Sequence, residues 1–143
     1  MTFDGVDFPR PGALPYLTVS DAHAAINWYV TAFGAELAGD PVTMDDGRVG
    51  HAELNFPTGM VYVAEEFPEM GLTAPEAGAT SVSLMVPVDD TDAVLARARE
   101  AGGIVERWIT ESHGNRNATL LDPFGHRWLL VGPVTGSRPG DTG

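Results

Sequence analysis

The chain contains no cysteine, which excludes a disulfide framework, thiolate metal ligands and a cysteine nucleophile. Basic residues are few. Eight Lys and Arg stand against 20 Asp and Glu, a net charge of −12 that repels phosphate backbones and anionic lipid surfaces alike. Nucleic acid is therefore not an expected partner. No apolar run approaches the roughly 20 residues that a membrane helix needs, and the first residues lack the charged and apolar blocks of a signal peptide. No membrane association is expected, and the cytoplasm is the expected compartment. The Gly-x-Ser-x-Gly elbow of nucleophilic hydrolases and the glycine-rich loops that cradle phosphates are also missing.

What remains is ample material for a core. The chain has 143 residues, 43% of them hydrophobic and 20% charged, and a domain of this size buries roughly 70% of the surface its unfolded chain exposes. One globular domain over residues 1–143 is expected, with tails at 1–12 and 135–143.

The interior of the sequence is written twice. Residues 14–21, "LPYLTVSD", read as an apolar strand ending in Asp21, a residue suited to cap a helix. Residues 22–33 then place Ala25, Ile26, Tyr29, Val30 and Phe33 on one helical face, and Gly34 stops the helix. Residues 83–90, "SLMVPVDD", repeat the strand and cap, 91–101 repeat the helix, and Gly102-Gly103 repeat the stop. Asp21 matches Asp90 at the same offset that matches Gly34 to Gly103. Further strands are expected at 36–43, 48–56 and 60–64, separated by the turn signals Asp45-Asp46-Gly47 and Pro57-Thr58-Gly59. In the second half the strands fall at 104–109, 117–121 and 127–131, separated by a loop at 111–115 and by "DPFGHRW". Each half reads β-α-β-β-β: module one at about 13–65, a Pro-, Gly- and Glu-rich linker at about 66–79, and module two at about 80–132. The expected class is α+β, a curved, cup-shaped mixed sheet with helices outside and a concave face inside. In "DPFGHRW", Asp122, Pro123 and Gly125 suit a type I turn, so Asp122 reads as turn chemistry.

Four stretches in order, "PYLTVSDAHAAINWYVTAFGAEL", "GRVGHAELNF", "VSLMVPVDDTDAVLARAREAGG" and "DPFGHRW", resemble the vicinal oxygen chelate superfamily of glyoxalase, bleomycin-resistance and extradiol dioxygenase proteins, over residues 14–132. Their combination is similar to the PhnB-like branch. The resemblance implies a glyoxalase-like fold of tandem βαβββ modules. In metal-dependent members it also implies a divalent cation held by His and Glu from the first and fourth strands of each module, where an open face of the ion acts as Lewis acid. Those positions fall here on Leu14, Ser83 and Leu129, and on Tyr62 or Ala64 in the fourth strand of module one. None is a strong metal ligand. The expectation is no metal and no cofactor, with a divalent ion kept as the alternative.

His51 and Glu53 sit two apart on a strand, facing away from Ala52, Leu54 and Phe56. With the apolar set turned to the helices, the polar pair faces the cup. There it can bind a ligand, act as an acid-base pair, contribute to an unorthodox metal site, or be a structural hydrogen-bonded pair. Arg116 follows Gly114-Asn115, where a guanidinium is suited to hold a carboxylate or phosphate or forms a salt bridge. Tyr62, Trp108 and Trp128 are candidates for an aromatic wall, whereas Trp28 reads as core and His23 and His113 as solvated surface.

Two functions follow as expectations. The first is a binding protein of the bleomycin-resistance type, which sequesters an antibiotic or other secondary metabolite in a cup completed by a homodimer. The alternative is a glyoxalase-like lyase or isomerase using His51 and Glu53. A structural or interaction module is a third possibility.

Overall fold

The computed structural model describes residues 13–134 and, before them, two short backbone strands, β1 (Thr2–Phe3) and β2 (Val6–Asp7), paired antiparallel. The expected tails at 1–12 and 135–143 otherwise lie outside the described residues. Module one comprises β3 (Tyr16–Val19), α1 (Ala22–Phe33), β4 (Glu36–Leu37), β5 (Val42–Thr43), β6 (Val49–Asn55) and β7 (Met60–Glu65). Module two comprises β8 (Ser83–Pro87), α2 (Thr91–Glu100), β9 (Ile104–Ser112), β10 (Asn115–Leu121) and β11 (Arg127–Pro133).

Both helices start and stop for the reasons legible in the chain. Asp21 accepts from the Ala24 amide at 3.1 Å, and Asp90 from the Ala93 amide at 3.1 Å, so each cap satisfies an amide that the first helical turn leaves unpaired. Gly34 ends α1 with φ of 72°, the left-handed conformation that costs glycine least. The duplication extends to the sheets. Their orders are β3-β7-β6-β4 and β8-β11-β10-β9, with the first strand parallel to the fourth in each, a pairing that requires a crossover such as the helix. The result is two mixed sheets, each with a hydrogen-bonded order of its own.

Two local expectations are corrected. The strand expected at 36–43 is split into β4 and β5, because Gly39 takes φ of 75° and Pro41 follows it without an N–H to donate. The loop expected at 111–115 is instead a tight hairpin: Ser112 pairs with Asn115, and His113 and Gly114 form the turn with φ of 54° and 78°, the left-handed pair of a type I′ turn. The linker at 66–79 carries a 3₁₀ turn at Pro68–Met70 and a bridge between Phe67 and Leu72.

One hydrophobic core spans both modules. Trp128 of β11 lies 5.5 Å from Phe56, 4.8 Å from Phe33 and 5.4 Å from Tyr29, all of module one. Trp128 is only 2% exposed; its ring packs in the core and borders a cavity lined by Phe56 and Leu84, not the one that Tyr16 lines. Alternation along β11 turns Trp128 and Leu130 inward, and the indole finds its hydrogen-bond partner inside, as buried tryptophans require.

That partner is Asp122, also 2% exposed. Its Oδ2 accepts from the Tyr29 hydroxyl at 2.5 Å and from Trp128 Nε1 at 2.9 Å, while Oδ1 accepts from the amides of Phe124 at 2.9 Å and His126 at 3.0 Å. The turn is present, with the Gly125 amide on the Asp122 carbonyl at 3.2 Å. Asp122 is nevertheless more than the turn residue expected: it is a buried carboxylate that ties α1 to module two. Burial and the adjacent Asp122 carboxylate hold the Tyr29 phenol well above its ordinary pKa, so Tyr29 stays a donor. Asp122→Ala leaves two buried side-chain donors without an acceptor and is expected to cost about 3–5 kcal/mol of stability. Tyr29→Phe should cost about 1–2 kcal/mol. Urea unfolding monitored by circular dichroism measures both, and a loss below about 1 kcal/mol for Asp122→Ala would contradict this role.

Candidate functional site

Strand register assembles the site on the face of the first sheet opposite α1. Tyr16 of β3 lies opposite Tyr62 of β7, which lies opposite Glu53 of β6. Their neighbours Leu17, Val63 and Ala52 point the other way and are buried in the core. His51, two residues before Glu53, joins the polar row. Its Nε2 is 2.8 Å from Glu53 Oε2, and its Nδ1 is 2.6 Å from the Tyr16 hydroxyl. The same hydroxyl lies 3.3 Å from the Gly50 carbonyl. The Tyr62 ring stands edge-on to the His51 and Tyr16 rings at 4.9 and 5.6 Å. Partial burial, then the Glu53 charge and then Tyr62, raises the Tyr16 pKa, so this phenol is protonated at neutral pH. The His51 and Glu53 side chains are 25% and 19% exposed, open enough to be reached and buried enough to be held in place.

A cavity of about 370 Å³ opens beside this group. Its floor includes Tyr16, Thr18 and Ala64, and its wall includes Phe67, Met70 and Leu72 from the linker, with Met44 at the rim. Arg48 fastens that wall. Its guanidinium reaches Glu69 at 2.8 and 3.2 Å, the Glu66 carbonyl at 3.2 Å and Asp46 at 2.7 Å, and lies 4.0 Å from the centre of the Phe67 ring. A fork of donors on a rigid plane suits this multiple attachment.

The structure thus brings His51, Glu53 and Tyr62 together and leaves the other candidates elsewhere. Trp108 lies on β9 of the second sheet, 56% exposed, with the Arg99 guanidinium of α2 at 5.0 Å from its ring. Arg116 is gripped by both oxygens of Asp92, at 2.7 and 3.0 Å, and by Glu111 at 3.0 Å. That network is the salt-bridge alternative rather than an open anion site. Trp28 is core, donating to the Ala101 carbonyl at 3.1 Å, and His113 is a turn residue. The superfamily's ligand positions, Leu14, Ser83 and Leu129, with Tyr62 or Ala64, supply no imidazole and no carboxylate. Among the described residues no group of three or more His, Asp or Glu is placed to hold an ion; His51 and Glu53 make two donors, turned on one another. These residues do not fit the superfamily's metal centre.

Residue-by-residue reading passed over Tyr16, Arg48 and the linker's Phe67, Met70 and Leu72. A signal existed for Tyr16, because in Tyr16-Leu17-Thr18-Val19 the period of two sets Tyr16 and Thr18 apart from the core-facing Leu17 and Val19. The linker residues carry no periodic signal.

The profile described as the glyoxalase/bleomycin resistance protein/dioxygenase superfamily matches residues 13–130. An uncharacterized protein of Mycobacterium bovis, Mb0911c, is 36% identical over 130 residues, covering 87% of this chain and 85% of its own. Among solved structures, TioX from Micromonospora sp. ML1 superposes with a TM-score of 0.66 at 24% identity, covering 90% of this chain and 100% of that one. A PhnB protein from Bacillus cereus superposes at 0.65 with 18% identity, covering 85% and 98%. The matched profile spans most of the chain and the same two modules that the structure displays, so the chain belongs to the glyoxalase/bleomycin resistance protein/dioxygenase superfamily.

Proposed function

We propose that this chain is a metal-independent binding protein of the PhnB-like branch that sequesters a small, partly aromatic molecule, such as an antibiotic or secondary metabolite. The observation that carries this reading is the cavity itself: apolar and aromatic walls, with one hydrogen-bonding cluster, Tyr16-His51-Glu53, at its edge. Small-molecule sites have this composition, in which apolar surface supplies affinity and a few polar groups fix orientation. The lack of carboxylate or imidazole at the superfamily's ligand positions supports metal independence. The reading includes a homodimer in which a second copy narrows the open cavity, and the exposed Val82 and Met85 at the β8 edge of the second sheet support it, at 63% and 64% exposure.

A second reading, an enzyme with His51 and Glu53 as acid-base pair, draws support from their 2.8 Å contact. It requires turnover that is lost in His51→Gln.

Three measurements separate these. A panel of aromatic antibiotics and metabolites should raise the melting temperature, and Ala64→Trp, which fills the floor, should abolish the shift while the protein stays folded. Arg48→Ala releases the linker wall and should weaken binding by about fivefold, with the secondary structure unchanged. Light scattering should return twice the chain mass. Stoichiometric divalent metal in protein purified without an affinity tag, or His51-dependent conversion of a 2-oxoaldehyde, would overturn the preferred reading.

A further inference from the structure

We infer that the cavity selects hydrogen-bond donors: its ligand is an apolar or aromatic molecule that presents a hydroxyl, amine or amide N–H to the Tyr16 oxygen, and His51 imposes that polarity. This deepens the proposed function and rests on the cavity beside Tyr16 being the binding site.

The inference follows from counting protons along three contacts. A glutamate carboxylate only accepts, so in the 2.8 Å contact between Glu53 Oε2 and His51 Nε2 the imidazole donates. A neutral imidazole that donates from one nitrogen presents a lone pair at the other. Nδ1 therefore accepts the single proton of the Tyr16 hydroxyl, across 2.6 Å. The Gly50 carbonyl, at 3.3 Å, is a far weaker competitor for that proton. The phenol is left with lone pairs only, and the adjacent Gly50 carbonyl is likewise an acceptor. Among the described side chains that line the cavity, the Thr18 hydroxyl alone can turn to donate, and it stands one strand period beyond Tyr16. A carboxylate, ether or ketone placed at Tyr16 meets lone pairs; a hydroxyl or N–H completes the chain.

The position of Tyr16 fits this role. Its ring is half-exposed, so its oxygen can be reached, while the His51 contact holds the ring in one orientation. Because the Tyr16 pKa is raised, the group remains a phenol and does not become an anion that would select cations by charge. The selection is for donors, charged or neutral. His51 is here a positioning residue that need not touch the ligand.

The test uses a neutral probe pair, 2-naphthol, which donates, and 2-methoxynaphthalene, which only accepts. Both are titrated into the ¹⁵N-labelled full chain at about pH 8.5, a mildly alkaline pH. Neutral probes remove the bias of the acidic chain. Cavity amides, those of residues 16–18, 50 and 64, should shift with both probes, and 2-naphthol should bind about five- to tenfold more tightly. Tyr16→Phe should erase that preference and Thr18→Val should keep it. His51→Leu frees the Tyr16 proton, so 2-methoxynaphthalene should gain on 2-naphthol; a merely structural histidine would weaken both probes alike. Equal affinity in the unsubstituted protein, a preference for the ether, or an unchanged preference in His51→Leu overturns the inference and leaves the cavity as the binding site. If neither probe shifts the cavity amides at saturating concentration, the proposed binding site and this inference fall together.

Discussion

The buried carboxylate of Asp122 is the constraint on which the rest of the structure depends. Carboxylates are rarely buried unless fully partnered, and this one has four donors: two amides of its own turn, the indole of Trp128 and the phenol of Tyr29. The first three are local to module two. The fourth arrives from α1 of module one, so the carboxylate is satisfied in full only when the modules are docked. Around it, Phe33, Phe56 and Trp128 close the same seam with apolar contact. The hydrophobic residues supply the larger share of the energy. Asp122 makes the docking directional, because a slipped arrangement would strand buried donors.

The docking decides where a site can be. The helix-facing sides of both sheets meet in one core, so the opposite faces are left to bind. The first-sheet face has Tyr16, Thr18 and Ala64 beside the cavity, and small residues leave room there. The corresponding face of the second sheet is occupied differently: Arg127 is tied to Glu106 at 2.7 Å and to the Thr80 carbonyl at 2.9 Å. The duplicated backbone therefore carries two unlike faces, and among the described residues the first combines an apolar cavity with a chain of oriented polar groups.

The backbone plan was largely legible, because strand-cap-helix-glycine written twice is a local signal that needs no tertiary knowledge. The breaks were harder. Gly39 and Pro41 interrupt a strand whose apolar content reads as continuous, and the His113-Gly114 turn hides a left-handed histidine that no composition rule would place there. The facing of Trp128 was hard to read for a physical reason. Alternation separates the two faces of a strand, but it does not say which face is core when both contain aromatic and polar residues. His126, just before β11, and Trp128 on it share a face by period, yet Trp128 lies in the core while the His126 ring reaches the Thr18 carbonyl at 2.9 Å.

For the site, the pair His51 and Glu53 was legible for the opposite reason: their strand neighbours are unambiguously apolar, so the facing was settled by period alone. Arg116 was not, since twenty acids made a salt bridge available and only the fold shows that Asp92 supplies it. The remaining step concerns polarity. A strand pattern can place a tyrosine, a histidine and a glutamate side by side, but what they offer a ligand depends on proton order, which follows from the contact sequence Glu53, His51, Tyr16 and not from any residue alone. Reversing that order would turn an acceptor site into a donor site with the same residues, the same cavity and the same fold. In the proposed binding site, the chemistry of the ligand is thus set by the end of the contact chain at which the carboxylate sits, and here that carboxylate is Glu53, at the end remote from the Tyr16 oxygen.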